Sequence, residues 1–182
     1  MKRKIALMMA LLSQLVFAAP PDDVPQPAPA TDRVGFPKGY AEQYEVLRIV
    51  KKPAEHKIVT VYGNKQAASI TNTQQLPYPY GSIFVMESAT TTQDPQAKPS
   101  IDGKGNLLKG AVTGLHVMRR EQGFGESYGK NRAGEWEYVE YKPDGSYITP
   151  PHKSAACAEC HVKAGIQKDF VYQGRLASEP KR

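Results

Sequence analysis

Two cysteines, and no others, occur in the 182-residue chain; they stand three apart at Cys157 and Cys160, with His161 directly behind. A disulfide between them would close a tiny loop and remove little chain entropy. The pair therefore does something other than staple the fold. The surrounding segment, 154–161 (SAACAECH), is alanine-rich and reads as a helix. Residues i and i+3 share a helical face. Both thiols of such a C-x-x-C-H segment reach the two vinyl groups of one haem, and the adjacent imidazole projects toward the iron. Two other chemistries use the same residue types. A thioredoxin-like redox pair follows a strand in a βαβ context, whereas this pair is C-terminal in a β-rich chain. A zinc site needs a fourth partner, and His152 is the only nearby candidate.

The N-terminus reads as a secretory signal over residues 1–19. Lys2, Arg3 and Lys4 form a charged start, residues 5–17 are apolar apart from Ser13 and Gln14, and small residues follow at Ala18 and Ala19. The apolar run is short for a membrane span, although an uncleaved anchor stays open as an alternative. No cysteine follows it, which excludes a lipoprotein anchor. The expected compartment is the periplasm, where a covalently held cofactor is not lost to the medium. The formal charge is +6, and three of those charges lie in the first four residues, leaving +3 for the rest. That mild, scattered excess gives no case for nucleic-acid binding.

Residues 20–34 are rich in Pro, Ala and Asp and read as a linker. Residues 35–182 form the expected haem domain. A short helix is expected over 41–50, and one helical turn over 65–70. Strand signals dominate elsewhere: 57–62 (KIVTVY), 82–87 (SIFVME), 111–119 (AVTGLHVMR) and 135–141 (EWEYVEY). The stretches 98–110 and 121–134 read as loops. Strands so spaced, with little helix between them, imply a mainly β (α+β) fold. The expectation is an antiparallel β-sheet haem domain with short helices and a C-terminal haem-attachment helix.

No Met lies after the C-x-x-C-H segment. The remaining candidates for a sixth iron ligand are Met86, Met118, His56, His116 and His152. Met86 and Met118 sit in apolar strands, where core packing is their simpler role. None stands out, so an open iron position is the favoured reading. An open position binds or transforms small molecules, whereas a closed one mostly transfers electrons. A six-coordinate periplasmic electron-transfer cytochrome is the alternative.

Several segments together resemble the P-460 type cytochromes and the related β-sheet cytochromes c-prime. They are Gly39-Tyr40, 61–64 (VYGN) followed by Ala67-Ala68, 77–85 (PYPYGSIFV), and Cys157-Ala158-Glu159-Cys160-His161 followed by 168–172 (KDFVY). The resemblance implies an antiparallel β domain, often a homodimer, with a five-coordinate haem c. It implies that Cys157 and Cys160 attach the haem and that His161 is the proximal iron ligand. It also implies binding or oxidation of small nitrogen species (nitric oxide, hydroxylamine), with a redox partner protein. The hydroxylamine-oxidising members carry a Lys cross-linked to the haem edge. Met86 stands at that haem-edge position, and a thioether cannot act as the amine nucleophile. A distal carboxylate would help move protons, and Glu135 and Glu137, on one strand face, are the candidates. An oxidoreductase role stays open for that reason.

The attachment reading makes a simple prediction. Haem stays with the polypeptide through acid–acetone extraction, and replacing Cys157 and Cys160 by Ala leaves extractable haem or none. Haem that washes out of the native protein would refute it.

Overall fold

The computed structural model describes residues 27–172; the expected signal segment 1–19 and residues 20–26 of the expected linker lie outside the described residues. Six strands form one antiparallel sheet in chain order. They are β1 (Glu45–Lys52), β2 (Lys57–Gly63), β3 (Ile83–Thr91), β4 (Lys109–Arg120), β5 (Trp136–Tyr141) and β6 (Tyr147–Thr149). Three short helices accompany them: α1 (Tyr40–Gln43), α2 (Lys65–Ala68) and, near the C-terminus, α3 (Ala155–Val162). The fold is mainly β with a C-terminal helix, as the strand spacing implies.

One expected element is different. The helix expected over 41–50 is a single turn, and the chain from Glu45 onward is strand β1. Val46, Ile49 and Val50 are β-branched, which disfavours helix. A ten-residue helix would also bear the full nucleation cost with little packing in return. Pairing with β2 satisfies the same backbone groups in a ladder. Strand β6 was not expected. Its three residues are too few to show a period, and pairing with β5 alone makes it a strand.

Antiparallel register aligns the side chains in rows across the sheet. One row runs Arg48, Val61, Met86, His116, Glu140, Thr149. Two residues along, a second row on the same face runs Gly63, Phe84, Met118, Tyr138. The intervening row, Tyr62, Val85, Val117, Val139, faces the other way. Each face has its own core. On the front, Trp136 is fully buried and meets Tyr78 and Phe84 at ring distances of 5.9 and 5.8 Å. On the back, Leu115, Val139 and Tyr141 are closed over by Val34, Phe36, Tyr40 and Tyr44.

The cover on the back face begins inside the expected linker. Tyr141 Oη donates to Asp32 Oδ2 at 2.6 Å. Arg33 forms a two-point pair with Glu137, its Nε donating at 3.1 Å and its Nη2 making the second contact. The composition of 20–34 signals a solvated linker, but residues 32–34 are docked because they carry the partners of buried polar groups. Glu137 is 2% exposed at its side chain and Arg33 41%. Glu87, also buried, accepts from Tyr40 Oη at 2.6 Å and pairs with Lys109 Nζ at 2.6 Å.

A buried carboxylate stripped of its partner is far costlier than the pair is favourable. Arg33 is partly exposed and Glu137 also accepts from Gly125 N–H, so Arg33→Ala should lower stability by about 1–2 kcal/mol. Adding Glu137→Gln should recover part of that loss by removing the unpaired charge. Urea denaturation of the two variants checks it; equal losses would show that the pair does not anchor the N-terminal segment.

Candidate haem site

Helix α3 starts where the chain leaves β6 through Pro150 and Pro151. Ser154, fully buried, precedes it; its Oγ donates to Pro151 O at 2.7 Å and meets Tyr128 Oη at 2.8 Å. Tyr128 Oη also accepts from Tyr138 N–H at 3.3 Å, which ties the helix start to β5. Ala155 and Ala158 face inward. Their small side chains let the helix come close to the sheet.

Between α3 and the front face lies a cavity of about 550 Å³, within the range of cofactor sites. Cys157, Cys160 and His161 line it, as does Met86. Leu47, Val61, Ala67, Ile70, Phe84 and Met118 make apolar walls, while Arg48, Lys153 and His116 bring positive or ionisable groups.

His161 Nδ1 lies 2.7 Å from the carbonyl oxygen of Phe170. A carbonyl only accepts, so Nδ1 carries the proton and Nε2 keeps its lone pair for a metal. Burial holds the imidazole below its ordinary pKa, opposed by the Phe170 bond, which favours the neutral form that a metal ligand needs. The ring sits between Tyr138 at 4.6 Å and Tyr172 at 5.5 Å. Burial pushes the Cys157 thiol up to about 11, with Glu140 acting in the same direction. That is the reverse of an activated redox cysteine, whose thiolate is stabilised. Among the described residues, no group of three or more His, Cys, Asp and Glu side chains is placed to hold a metal ion, so a zinc site finds no ligand set there.

The segment after α3 turns back along the cavity. Asp169 and Phe170 both take left-handed backbone conformations, at φ 48° and 59°. Such residues cost roughly 1–3 kcal/mol each and persist only when their surroundings hold them. The Asp169 carboxylate accepts from Tyr78 N–H at 2.9 Å and lies 3.6 Å from Arg120 Nε. Arg120 in turn donates to Tyr78 O and stacks over the Tyr80 ring at 4.7 Å. Burial raises the Asp169 carboxyl above its ordinary pKa, and the hydrogen bond from Tyr78 and the charge of Arg120 oppose the rise. Tyr172 Oη donates to Cys160 O at 2.8 Å.

Neither carboxylate proposed from the sequence lines the cavity. Glu137 is on the back face with Arg33. Glu135 precedes β5 and is held outside by Tyr80 Oη at 2.7 Å and Arg120 Nη2 at 3.1 Å. The carboxylate that does line the cavity is Glu140, which pairs with His116 Nδ1 and accepts from Thr149 Oγ1. Its signal was parity: Trp136, Tyr138 and Glu140 alternate on one face of β5. His56 and His152 do not line the cavity; His56 lies 3.3 Å from Gln93 Nε2.

The cavity suits a c-type haem on its own chemistry. Two thiols and an imidazole with a free Nε2 share one end, apolar walls match a flat macrocycle, and Arg48 and Lys153 match its carboxylates. The buried Tyr138 Oη, moreover, has no hydrogen-bond partner. No curated protein matches the chain. A model of the family named cytochrome P460 does match, over residues 37–173. That span contains the whole sheet, the cavity and the C-x-x-C-H helix, and the chain belongs to the cytochrome P460 family, whose cytochromes carry c-type haem.

Proposed function

We propose that the chain is an exported mono-haem c-type cytochrome with an open iron position for small nitrogen species such as nitric oxide or hydroxylamine. Cys157 and Cys160 hold the haem covalently, and His161 ligates the iron. One observation carries the reading: the three residues line a single cavity, and His161 has its Nδ1 committed to Phe170, leaving Nε2 to coordinate. The bound haem supplies an iron centre that binds a small ligand and exchanges electrons. Export rests on the N-terminal pattern, and a redox partner protein carries the electrons.

The chain's own residues do the rest. Leu47, Val61, Ile70 and Phe84 keep water from the apolar end of the cavity. Glu140 takes the role for which Glu135 and Glu137 are misplaced. Its side chain is 18% exposed and its partner His116 45% exposed, so the pair joins the cavity to solvent. A carboxylate and an imidazole in contact can hold and pass a proton across that boundary. Met86 lines the cavity and would offer a soft apolar contact at the haem edge, where the family resemblance puts it. Lys153 is the one lysine lining the cavity among the described residues.

The second reading, a six-coordinate electron carrier, is favoured only by the presence of Met86, Met118 and His116 in the cavity wall. Met118 is buried in the front core, while His116, whose Nδ1 meets Glu140, keeps Nε2 as His161 does, so His116 and Met86 are its candidate ligands.

The ferrous protein should be five-coordinate and high-spin, and should bind carbon monoxide and nitric oxide without displacing a protein ligand. A low-spin ferrous spectrum that Met86→Ala or His116→Ala converts to high-spin would establish the electron-carrier reading instead.

Without the lysine, the haem should be joined to a single peptide. Mass spectrometry of a tryptic digest should find it on residues 154–163 alone. A haem peptide extended through an uncleaved Lys153, or a second peptide on the porphyrin, would show that a cross-link forms after all.

A further inference from the structure

We infer that Asp169 is a positioning residue for the iron ligand: by clamping the strained turn that carries the Phe170 carbonyl, it sets the strength of the His161 Nδ1 hydrogen bond and thereby the electronics of the iron. The inference rests on the assignment of His161 as that ligand.

Phe170 O is the acceptor for His161 Nδ1, at 2.7 Å. The direction of that carbonyl depends on two consecutive left-handed residues, Asp169 and Phe170. Asp tolerates this conformation better than most residues, whereas a bulky residue such as Phe does not favour it. Something must hold Phe170 there. Local backbone bonds contribute, with Phe170 N–H donating to Gly165 O at 3.0 Å and Val171 N–H to Lys168 O at 3.1 Å. The long-range anchor is the Asp169 carboxylate. It is bonded to Tyr78 N–H at 2.9 Å across 91 residues of sequence and ion-paired with Arg120 at 3.6 Å. Both partners belong to rigid surroundings: Tyr78 is in the front core, and Arg120 ends β4 and grips the 77–81 turn through Tyr78 O and the Tyr80 ring. The Phe170 ring packs over Gly134, whose φ is +62° and where a Cβ would come within 3.0 Å of it. The turn at 77–81 and the Asp-Phe following the C-x-x-C-H helix therefore act as one device.

The consequence for the iron follows from the hydrogen bond. A carbonyl that accepts from Nδ1–H makes the imidazole a stronger donor and favours the oxidised metal. When Asp169 is removed the turn relaxes, the bond lengthens and the imidazole donates less. The Fe–His stretching frequency of the ferrous protein then falls and its reduction potential rises.

The experiment compares Asp169→Ala, Asp169→Asn and Tyr141→Phe in the holoprotein. Resonance Raman spectroscopy, potentiometry and thermal melting are the readouts. Asp169→Ala should lower the Fe–His frequency, raise the potential and lower Tm. Asp169→Asn keeps an acceptor for Tyr78 and a side chain suited to the turn but loses the charge facing Arg120. It should restore the frequency and potential towards native values, while Tm stays low. Tyr141→Phe removes a hydrogen bond on the back face and should lower Tm alone. Native frequency and potential in Asp169→Ala, or shifts in Tyr141→Phe as large as those in Asp169→Ala, would overturn the proposal. If Asp169→Ala does not accumulate, Asp169→Gly replaces it, since glycine suits the left-handed backbone but removes the acceptor for Tyr78 N–H; the solvent exchange of the His161 Nδ1 proton, read by NMR in that variant, decides. Faster exchange than native supports the clamp, and an unchanged rate overturns it. A native protein with no Fe–His stretch at all would instead overturn the ligand assignment on which the proposal stands.

Discussion

Side chains alternate across a strand, and in β3, β4 and β5 both sides of that alternation are covered. The back-facing residues Val85, Val117 and Val139 pack under the N-terminal segment, and the front-facing Phe84, Met118 and Tyr138 make one wall of the cavity. Everything at the site depends on this division. A slip of one residue in any of these strands would exchange the two sets and put Glu87 and Glu137 in the cavity. The buried partners on the back face oppose such a slip. Lys109 and Tyr40 hold Glu87, and Arg33 holds Glu137. Buried ion pairs contribute little net stability but make alternatives costly. A slipped register would separate Glu87 and Glu137 from these partners, and register specifies what lines the cavity.

The second organising element is the return of the chain after α3. A helix of eight residues has little independent stability. It is held by contacts from outside it: Ser154 to Tyr128 at its start, Tyr172 to Cys160 O, and the Phe170 carbonyl to His161. Two of these contacts fall on Cys160 and His161, which are proposed to bind the cofactor. Both come from the segment 170–172, which is itself anchored to the 77–81 turn by Asp169. The conformation of the ligand thus depends on parts of the chain far from it in sequence.

Much of this was legible beforehand. The C-x-x-C-H segment, the alanine-rich helix and the strands at 57–62, 82–87, 111–119 and 135–141 each carry a local signature, and all correspond to observed elements. The errors came from local ambiguity. Residues 45–52 suit a helix or a strand by spacing, and only the pairing with β2 decides. Residues 32–34 look like linker because their composition does not reveal that Asp32 and Arg33 have partners in Tyr141 and Glu137. In 135–141, aromatic residues occupy both parities, Trp136 and Tyr138 on one and Tyr141 on the other. Hydrophobicity does not say which parity faces the cavity, and the carboxylates named from the sequence, Glu135 and Glu137, lie on the other one.

The sequence by itself determined the chemistry available. Two thiols one helical turn apart with an adjacent imidazole are a local pattern, and local spacing is enough to read it. Only the tertiary structure decided how that chemistry is presented. It selected Glu140 and His116 for the cavity, excluded Glu135 and Glu137, and gave the His161 proton to Nδ1 by setting Phe170 O against it. The physical reason is range. Helical periodicity acts over a few residues, whereas the face of a strand and the direction of a carbonyl are set by partners brought close only when the sheet closes, as Asp169 is to Tyr78.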